Sequence, residues 1–352
     1  MQRICTSLAE KGGYRVVLVG RALPKSKPLL SQPFEQKRLC CWFNKGKFFY
    51  LEFNIRLFFF LLFRRFDAVC SVDLDTILAG FYVSRLRRRV CVYDAHELFT
   101  EVPEVVERPR TQRIWQGIAR RTIPRIAHAY TVCQSLADYF LSHYGKSFGV
   151  IRNLPFAQQP TDQNTSKPNI DAPFVLLYQG ALNDGRGLEE LLAALPLLPS
   201  RVHLWLAGEG DRSASLRQQA EDLKLGERVK FWGYLPPSEL KALTLQCHAG
   251  VNLLQNKGLN YYYSLANKFF DYIQASKPAL NMAFPEYERI CKDYRVGALL
   301  PDLSPHEIEK AVLQLLNPDF YAQCQTECQR ARLVFTWEAE EQTLLDIWRE
   351  VV

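Results

Sequence analysis

No stretch of this 352-residue chain holds the roughly 20 consecutive apolar residues that a helix needs to cross a bilayer. The richest segment, KGKFFYLEFNIRLFFFLLFRR at 45–65, is interrupted by Glu52 and Arg56 and bracketed by Lys45, Lys47, Arg64 and Arg65. The opening residues lack a charged-then-apolar leader pattern, so the expectation is a cytoplasmic protein. Ten cysteines are present, yet no two form a CxxC pair. Cys324 and Cys328 share a helix face with no His or third Cys nearby, so no metal centre is spelled out. Buried reduced thiols account for the cysteines. Asp73-Leu74-Asp75 reads DxD, but it follows a strand and opens a helix, where acidic capping explains it. No metal and no cofactor are expected.

What is present points to a two-domain enzyme. Apolar residues make up 48% of the chain, enough for two cores of ordinary size. Residues 1–155 hold 25 Lys and Arg against 12 Asp and Glu, while the remainder nets −6. A basic first half suits an anionic partner, either a membrane leaflet or nucleic acid. The polar positions of 45–65 fall four apart, as in a helix with one wet stripe. The excess phenylalanine beside Arg85, Arg87, Arg88 and Arg89 suggests an interfacial surface.

Strands and helices alternate along the second half. FVLLYQG (174–180), VHLWLAG (202–208), VKFWGYL (229–235), AGVNLLQ (249–255), PALNMA (278–283) and VGALLP (296–301) read as strands separated by amphipathic helices. The first half repeats the pattern with YRVVLVG, LCCWFN, AVCSVD, RVCVYDAHE, AYTVCQS and GVIRNLP. A polar, proline-containing linker occupies 157–173. The fold class is therefore α/β, with two Rossmann-like domains facing a cleft: 1–155, and 156–336, with a C-terminal helix at 337–352 packing back on the first. MQRICTSLAEKGG reads as a helix with Ile4, Leu8 and Ala9 on its apolar side, leading straight into YRVVLVG. A strand normally precedes such a helix, so the expectation is that this chain lacks its natural first strand.

Residues 251–280 are the most informative. They read as a strand (Val251 to Leu254), a polar aromatic loop, a helix from about Ala266 to Ala275 and a short strand from Pro278 to Met282. Ser264 stands at the N-cap position, and Asn267 and Asp271, four apart, share a helix face. A helix N-terminus after a strand favours phosphate, and an acid one turn on suits ribose hydroxyls.

YQGALNDGRGLEELLAA (178–194), LAGEG (206–210), FWGYLPPSEL (231–240) and SLANKFFDYIQASKPAL (264–280) resemble, in order and spacing, the family-4 retaining glycosyltransferases of the GT-B fold. In the first half YDAHELFTEVPE (93–104) and VIRNLP (150–155) look like a bacterial subgroup of that family. The resemblance implies sugar transfer from a nucleoside-diphosphate sugar to a lipid-linked or polysaccharide acceptor, without metal and with retention. It makes Arg186 the phosphate-binding cation and Asp271 the ribose ligand, and it places the base near Tyr234. Gly180, Gly208, Gly210, Ser264, Leu265, Asn267 and Lys268 complete the donor site, while His96 and Glu97 resemble the acceptor-side catalytic pair. Two positions depart from the pattern: Ala181 replaces an Arg, and Tyr263 replaces the first of two spaced acids. The implied location is the inner face of the cell membrane, with an anionic surface as partner and no nucleic acid. Two other readings stay open here: an inactive sugar-nucleotide-binding or partner subunit, and a nucleic-acid-binding protein.

Overall fold

The computed structural model describes residues 1–24, 26–157 and 173–352. Most of the 157–173 linker lies outside them. The chain divides into two compact units: Met1–Arg152 with Glu338–Val352, and Asn153–Trp337.

In the first unit all strand pairing is parallel, but it falls into two sheets. β1 (Val17–Ala22) pairs with β2 (Glu35–Cys40) alone. β3 (Ala68–Val72), β4 (Val90–Ala95), β5 (His128–Thr131) and β6 (Gly149–Val150) form the second sheet in that order. No ladder among the described residues joins β1 to β3, so each pairs along one edge only. β2 begins at Glu35, ahead of the LCCWFN run, and ends at Cys40. Its charged EQKR residues suit a sheet edge, where polar side chains discourage further pairing. The tail helix Trp337–Arg349 is held to this unit by polar ties. Glu340 accepts from Arg152 Nε at 2.7 Å, and Ser7 Oγ donates to Glu341.

Two arginines of the basic cluster serve the fold. Arg87 donates to the carbonyls of Leu61, Leu62 and Arg64, closing the C-terminal end of the helix Gly46–Leu62. Arg89 pairs with Asp67 at 3.0 Å. Terminal carbonyls of a helix lack partners within it and take cationic donors readily.

The second unit carries one six-stranded parallel sheet. Its strands are β7 (Phe174–Gln179), β8 (Val202–Ala207), β9 (Val229–Gly233), β10 (Ala249–Asn252), β11 (Ala279–Met282) and β12 (Gly297–Leu300). The order is β12-β11-β10-β7-β8-β9, so the winding reverses between β7 and β10. Every residue of β7 is buried, as expected of a central parallel strand covered on both faces. The helix Asn267–Gln274 lies over the reversal. The Tyr272 hydroxyl donates to the Leu177 carbonyl at 2.8 Å, and a Cβ on Gly250 would come within 2.2 Å of the Tyr272 ring. Gly250 therefore makes the room that lets this helix sit across β7 and β10. All ten cysteines are free, and Cys324 and Cys328 are buried in the core.

Candidate functional site

Open parallel sheets bind ligands beyond the carboxyl ends of their strands, where the winding reverses. In the second unit that point is flanked by the loop after β7 and the loop after β10. The backbone there is close-packed. Gly180 adopts φ +135°, and a Cβ on Gly208 would lie 1.8 Å from its carbonyl oxygen. A Cβ on Gly210 would lie 2.3 Å from Asn183 Oδ1. These glycines let the ends of β7 and β8 approach one another, which is their immediate purpose.

Two cations converge on the end of β7. Arg186, between Gly185 and Gly187, lies with its guanidinium 5.3 Å from the centre of the Tyr261 ring, and its Nε is buried without a hydrogen-bond partner. Lys268, reaching over from the helix Asn267–Gln274, places Nζ 3.6 Å from the centre of the Tyr178 ring. The same Nζ is 3.5 Å from where a Cβ on Gly180 would stand. Burial, and then the charge of Arg186, hold the Lys268 ammonium well below its ordinary range. Among the described residues neither cation has a carboxylate within ion-pair distance, although the Asp271 charge pulls the Lys268 ammonium back up in part. Two neighbouring cations that repel one another, with no carboxylate in contact with either, are equipped to take up an anion.

Asp271 sits one turn along the same helix. Its Oδ2 accepts from Gln179 Nε2 at 3.0 Å, and Gln179 in turn accepts from the Thr244 hydroxyl at 2.8 Å. This chain anchors the carboxylate to the end of β7. Ser264 does not cap the helix: its hydroxyl donates to the Tyr261 carbonyl at 2.8 Å, and Ala266 occupies the N-cap without a side-chain bond. The reason is local competition, since a serine hydroxyl reaches the carbonyl three residues back as easily as a helix N–H. Leu265 is buried, Asn267 is exposed at the helix start, and the Ala266 N–H donates to the Tyr287 hydroxyl at 3.1 Å. Tyr234 is 71% exposed just past β9, with no hydrogen bond or ring contact tying it to Arg186, Lys268 or Asp271. Trp232 packs against Trp205 and the core, with Lys230 over its ring.

The first unit builds a contrasting cluster at the ends of β3 and β4. The register places Val72 opposite Asp94, which brings Asp73 against the turn after β4. Asp73 takes a left-handed φ of 55°, a conformation that Asp tolerates better than most residues. Its Oδ1 accepts the backbone N–H groups of His96 (2.8 Å) and Glu97 (3.2 Å), and its own N–H donates to the Asp94 carbonyl. His96 Nε2 lies 3.1 Å from Oδ1 of the buried Asp94. Burial pushes the Asp73 carboxyl up to about 7, against the opposing pull of His96. Asp75 is raised by burial to about 6, and Glu97 is raised by burial and by the charges of Asp75 and Glu104. Burial alone would lower the His96 imidazole, but the Asp94 carboxylate and then Asp73 outweigh it, so the net shift is upward. A histidine wrapped by acids is equipped to hold or move a proton near neutral pH.

The sequence placed His96, Glu97 and Arg186 just beyond strands, and Lys268 and Asp271 on one helix. It did not find Tyr178, Gln179, Tyr261 or Asp94, which position them. The run Tyr261-Tyr262-Tyr263 was the one visible sign of the ring beneath Arg186.

Set beside known proteins, this architecture has clear relatives. Residues 160–330 match the model of a family described as glycosyl transferases group 1. Among solved structures, sucrose-phosphate synthase from Thermosynechococcus elongatus superposes with a TM-score of 0.80 over 99% of this chain and 91% of that one, at 17% identity. Anabaena HepE, in complex with UDP and glucose, gives 0.72 over 90% and 87%, also at 17% identity. At such identities the likeness is one of fold, and the fold is GT-B: two Rossmann-like domains. The chain therefore has the GT-B fold, and within its second unit residues 160–330 match the group 1 glycosyl transferase domain. A lipopolysaccharide core biosynthesis glycosyltransferase, LpsE of Rhizobium meliloti, is 24% identical over 189 residues. That match covers 47% of this chain and about half, 50%, of the relative's length.

Proposed function

We propose that this protein transfers a sugar from a nucleoside-diphosphate sugar to a lipid-linked or polysaccharide acceptor at the inner face of a membrane. The observation that carries the reading is the pair of unmatched cations, Arg186 and Lys268, at the end of β7. As the bond between the anomeric carbon and the diphosphate oxygen breaks, negative charge grows on the leaving group. Fixed cations in a partly dry site stabilise that charge, and they do so without a metal. Lys268 supplies a second positive charge beside Ala181, where the family pattern has an arginine. Asp271, its geometry fixed by Gln179, accepts from the ribose hydroxyls, and backbone groups around Ser264, Leu265 and Asn267 bind sugar or phosphate oxygens. Tyr234 offers an exposed ring to the base.

His96 and Glu97 serve the acceptor side, with His96 donating to the transferred sugar or handling the acceptor proton. Retention at the anomeric carbon rests on the resemblance of the linked motifs to retaining enzymes. The relative named for lipopolysaccharide core biosynthesis favours a lipid-linked acceptor. Titration calorimetry with UDP, ADP, GDP and CDP in chelator tests the donor side. Binding of at least one diphosphate is expected. Binding that appears only with a divalent ion would sink the metal-free reading, and no binding at all would remove the donor site from β7.

A further inference from the structure

The helix Gly46–Leu62 is apolar on two opposite faces, and the fold uses only one. Phe53, Leu57 and Leu61 point inward and pack with Ala79, Val83 and residues of β1, β2 and β3. On the opposite side Phe48, Leu51, Ile55, Phe59 and Phe63 recur every three or four residues, so they form a single stripe. Each of these five is about half exposed or more, and Phe63 reaches 80%. Scattered surface apolar residues are ordinary, but a continuous stripe of large ones marks a contact surface.

The surroundings of the stripe identify what it meets. Trp42, 84% exposed, and Phe43 are pinned beside it, because both backbone N–H groups donate to the Glu52 carboxylate at 2.9 Å. Arg56 pairs with the same carboxylate at 2.7 Å. Glu52 is the only acid between 42 and 66, and it is thereby neutralised. Lys45 and Lys47 stand exposed at one end of the helix, and Arg64 and Arg65 at the other. An apolar stripe with cations at both ends and no bare acid complements an anionic bilayer better than a protein surface. No helix among the described residues is long and apolar enough to cross a membrane.

We propose that this stripe lies in the headgroup boundary of an anionic leaflet, with Trp42 and the five helix residues inserted and the four cations on the headgroups. The inference rests on the membrane-side function proposed above and names the surface that performs it.

Vesicles of phosphatidylcholine with and without phosphatidylglycerol test it on the full chain. Brominated acyl chains should quench Trp42 fluorescence, and Trp42→Phe should remove that part of the quenching. Changing Phe48, Leu51, Ile55 and Phe59 together to Ser should reduce capture by about tenfold or more, since each buried apolar group adds to membrane affinity. Changing Lys45, Lys47, Arg64 and Arg65 to Ser should weaken capture on anionic vesicles and flatten its salt dependence. Unchanged UDP affinity in both variants certifies the fold. Wild-type capture in the Ser stripe variant would overturn the proposal. So would a wild-type dimer that the stripe variant abolishes while vesicles capture neither, because the stripe would then face a second copy. A protein that captures vesicles but binds no nucleoside diphosphate keeps this inference and loses the transferase reading.

Discussion

The two units carry opposite charges at their strand ends, and in each case the sign is opposite to that of the sequence half. The basic first half ends β3 and β4 in acids: Asp73, Asp75, Asp94 and Glu97 around His96. The acidic remainder ends β7 in two unmatched cations, Arg186 and Lys268. Net charge resides on solvated surfaces, where it costs little and steers encounters. Site charge is set by a few residues that strand register and helix placement force together. Burial then shifts the protonation of those residues, as the raised Asp73 and the depressed Lys268 illustrate.

The contrast breaks most decisively at the cations. Arg186→Ala should weaken nucleoside-diphosphate affinity by roughly tenfold or more, because a charge-assisted hydrogen bond is worth about 1.5–3 kcal/mol. Combining it with Lys268→Met should cost about a hundredfold, measured by calorimetry on protein whose circular dichroism is unchanged. Diphosphate binding should also draw a proton onto Lys268. Its ammonium is depressed in the free protein, and an arriving anion pulls it back up. Between the depressed value and the ordinary lysine value the complex therefore holds more protons, and binding enthalpy should vary with buffer ionisation heat. Uptake that persists unchanged in Lys268→Met would assign the proton elsewhere. Asp271→Asn should have a smaller effect: loss of the proposed ribose contact with the anchor to Gln179 partly kept, for roughly a fivefold to tenfold weakening. Equal affinities for ribose and deoxyribose diphosphates in the wild type would remove that role.

How much of this was readable follows from the range of each interaction. β7 was legible because a central parallel strand is continuously apolar, and the loop bearing Arg186 was legible because glycines flank it. Lys268 was read on the same helix as Asp271, where the structure places it. Its direction was not visible, since a lysine three residues from an acid on a helix usually pairs with it. Here the Tyr178 ring, far away in sequence, takes the ammonium instead. The acid cluster was hidden for the same reason. Asp73 reads as a helix cap, and only the pairing of Val72 with Asp94 shows that it holds the backbone of His96. Ser264 was misread because the N-cap falls two residues later, at Ala266, and the serine hydroxyl turns back onto the Tyr261 carbonyl.

The smallest expected effect is on stability, and it distinguishes the units by sign. The folded first unit keeps protons on Asp73 up to about 7 and on Asp75 up to about 6, where the unfolded chain has released them. Stability from these groups is full below the ordinary carboxylate range and declines as pH rises through 6 and 7. His96, raised by Asp94 and Asp73, adds in the same direction, being lost as pH rises through its elevated folded value. In the second unit, Asp184 is lowered by Lys257 and Arg212, and Asp302 by Ser304, so their contributions are lost as pH falls. Hydrogen exchange should therefore show residues 68–95 losing protection between pH 5.5 and 8 relative to residues 174–207. The effect should be on the order of 1 kcal/mol, given that one pKa unit corresponds to about 1.4 kcal/mol. Asp73→Asn retains a carbonyl oxygen for the His96 and Glu97 N–H groups but cannot ionise, so it should flatten that slope without abolishing the turn. A slope that stays as steep in Asp73→Asn would place the titration on Asp75 and His96 instead, and would leave Asp73 as a purely structural hinge for the turn that carries His96 and Glu97.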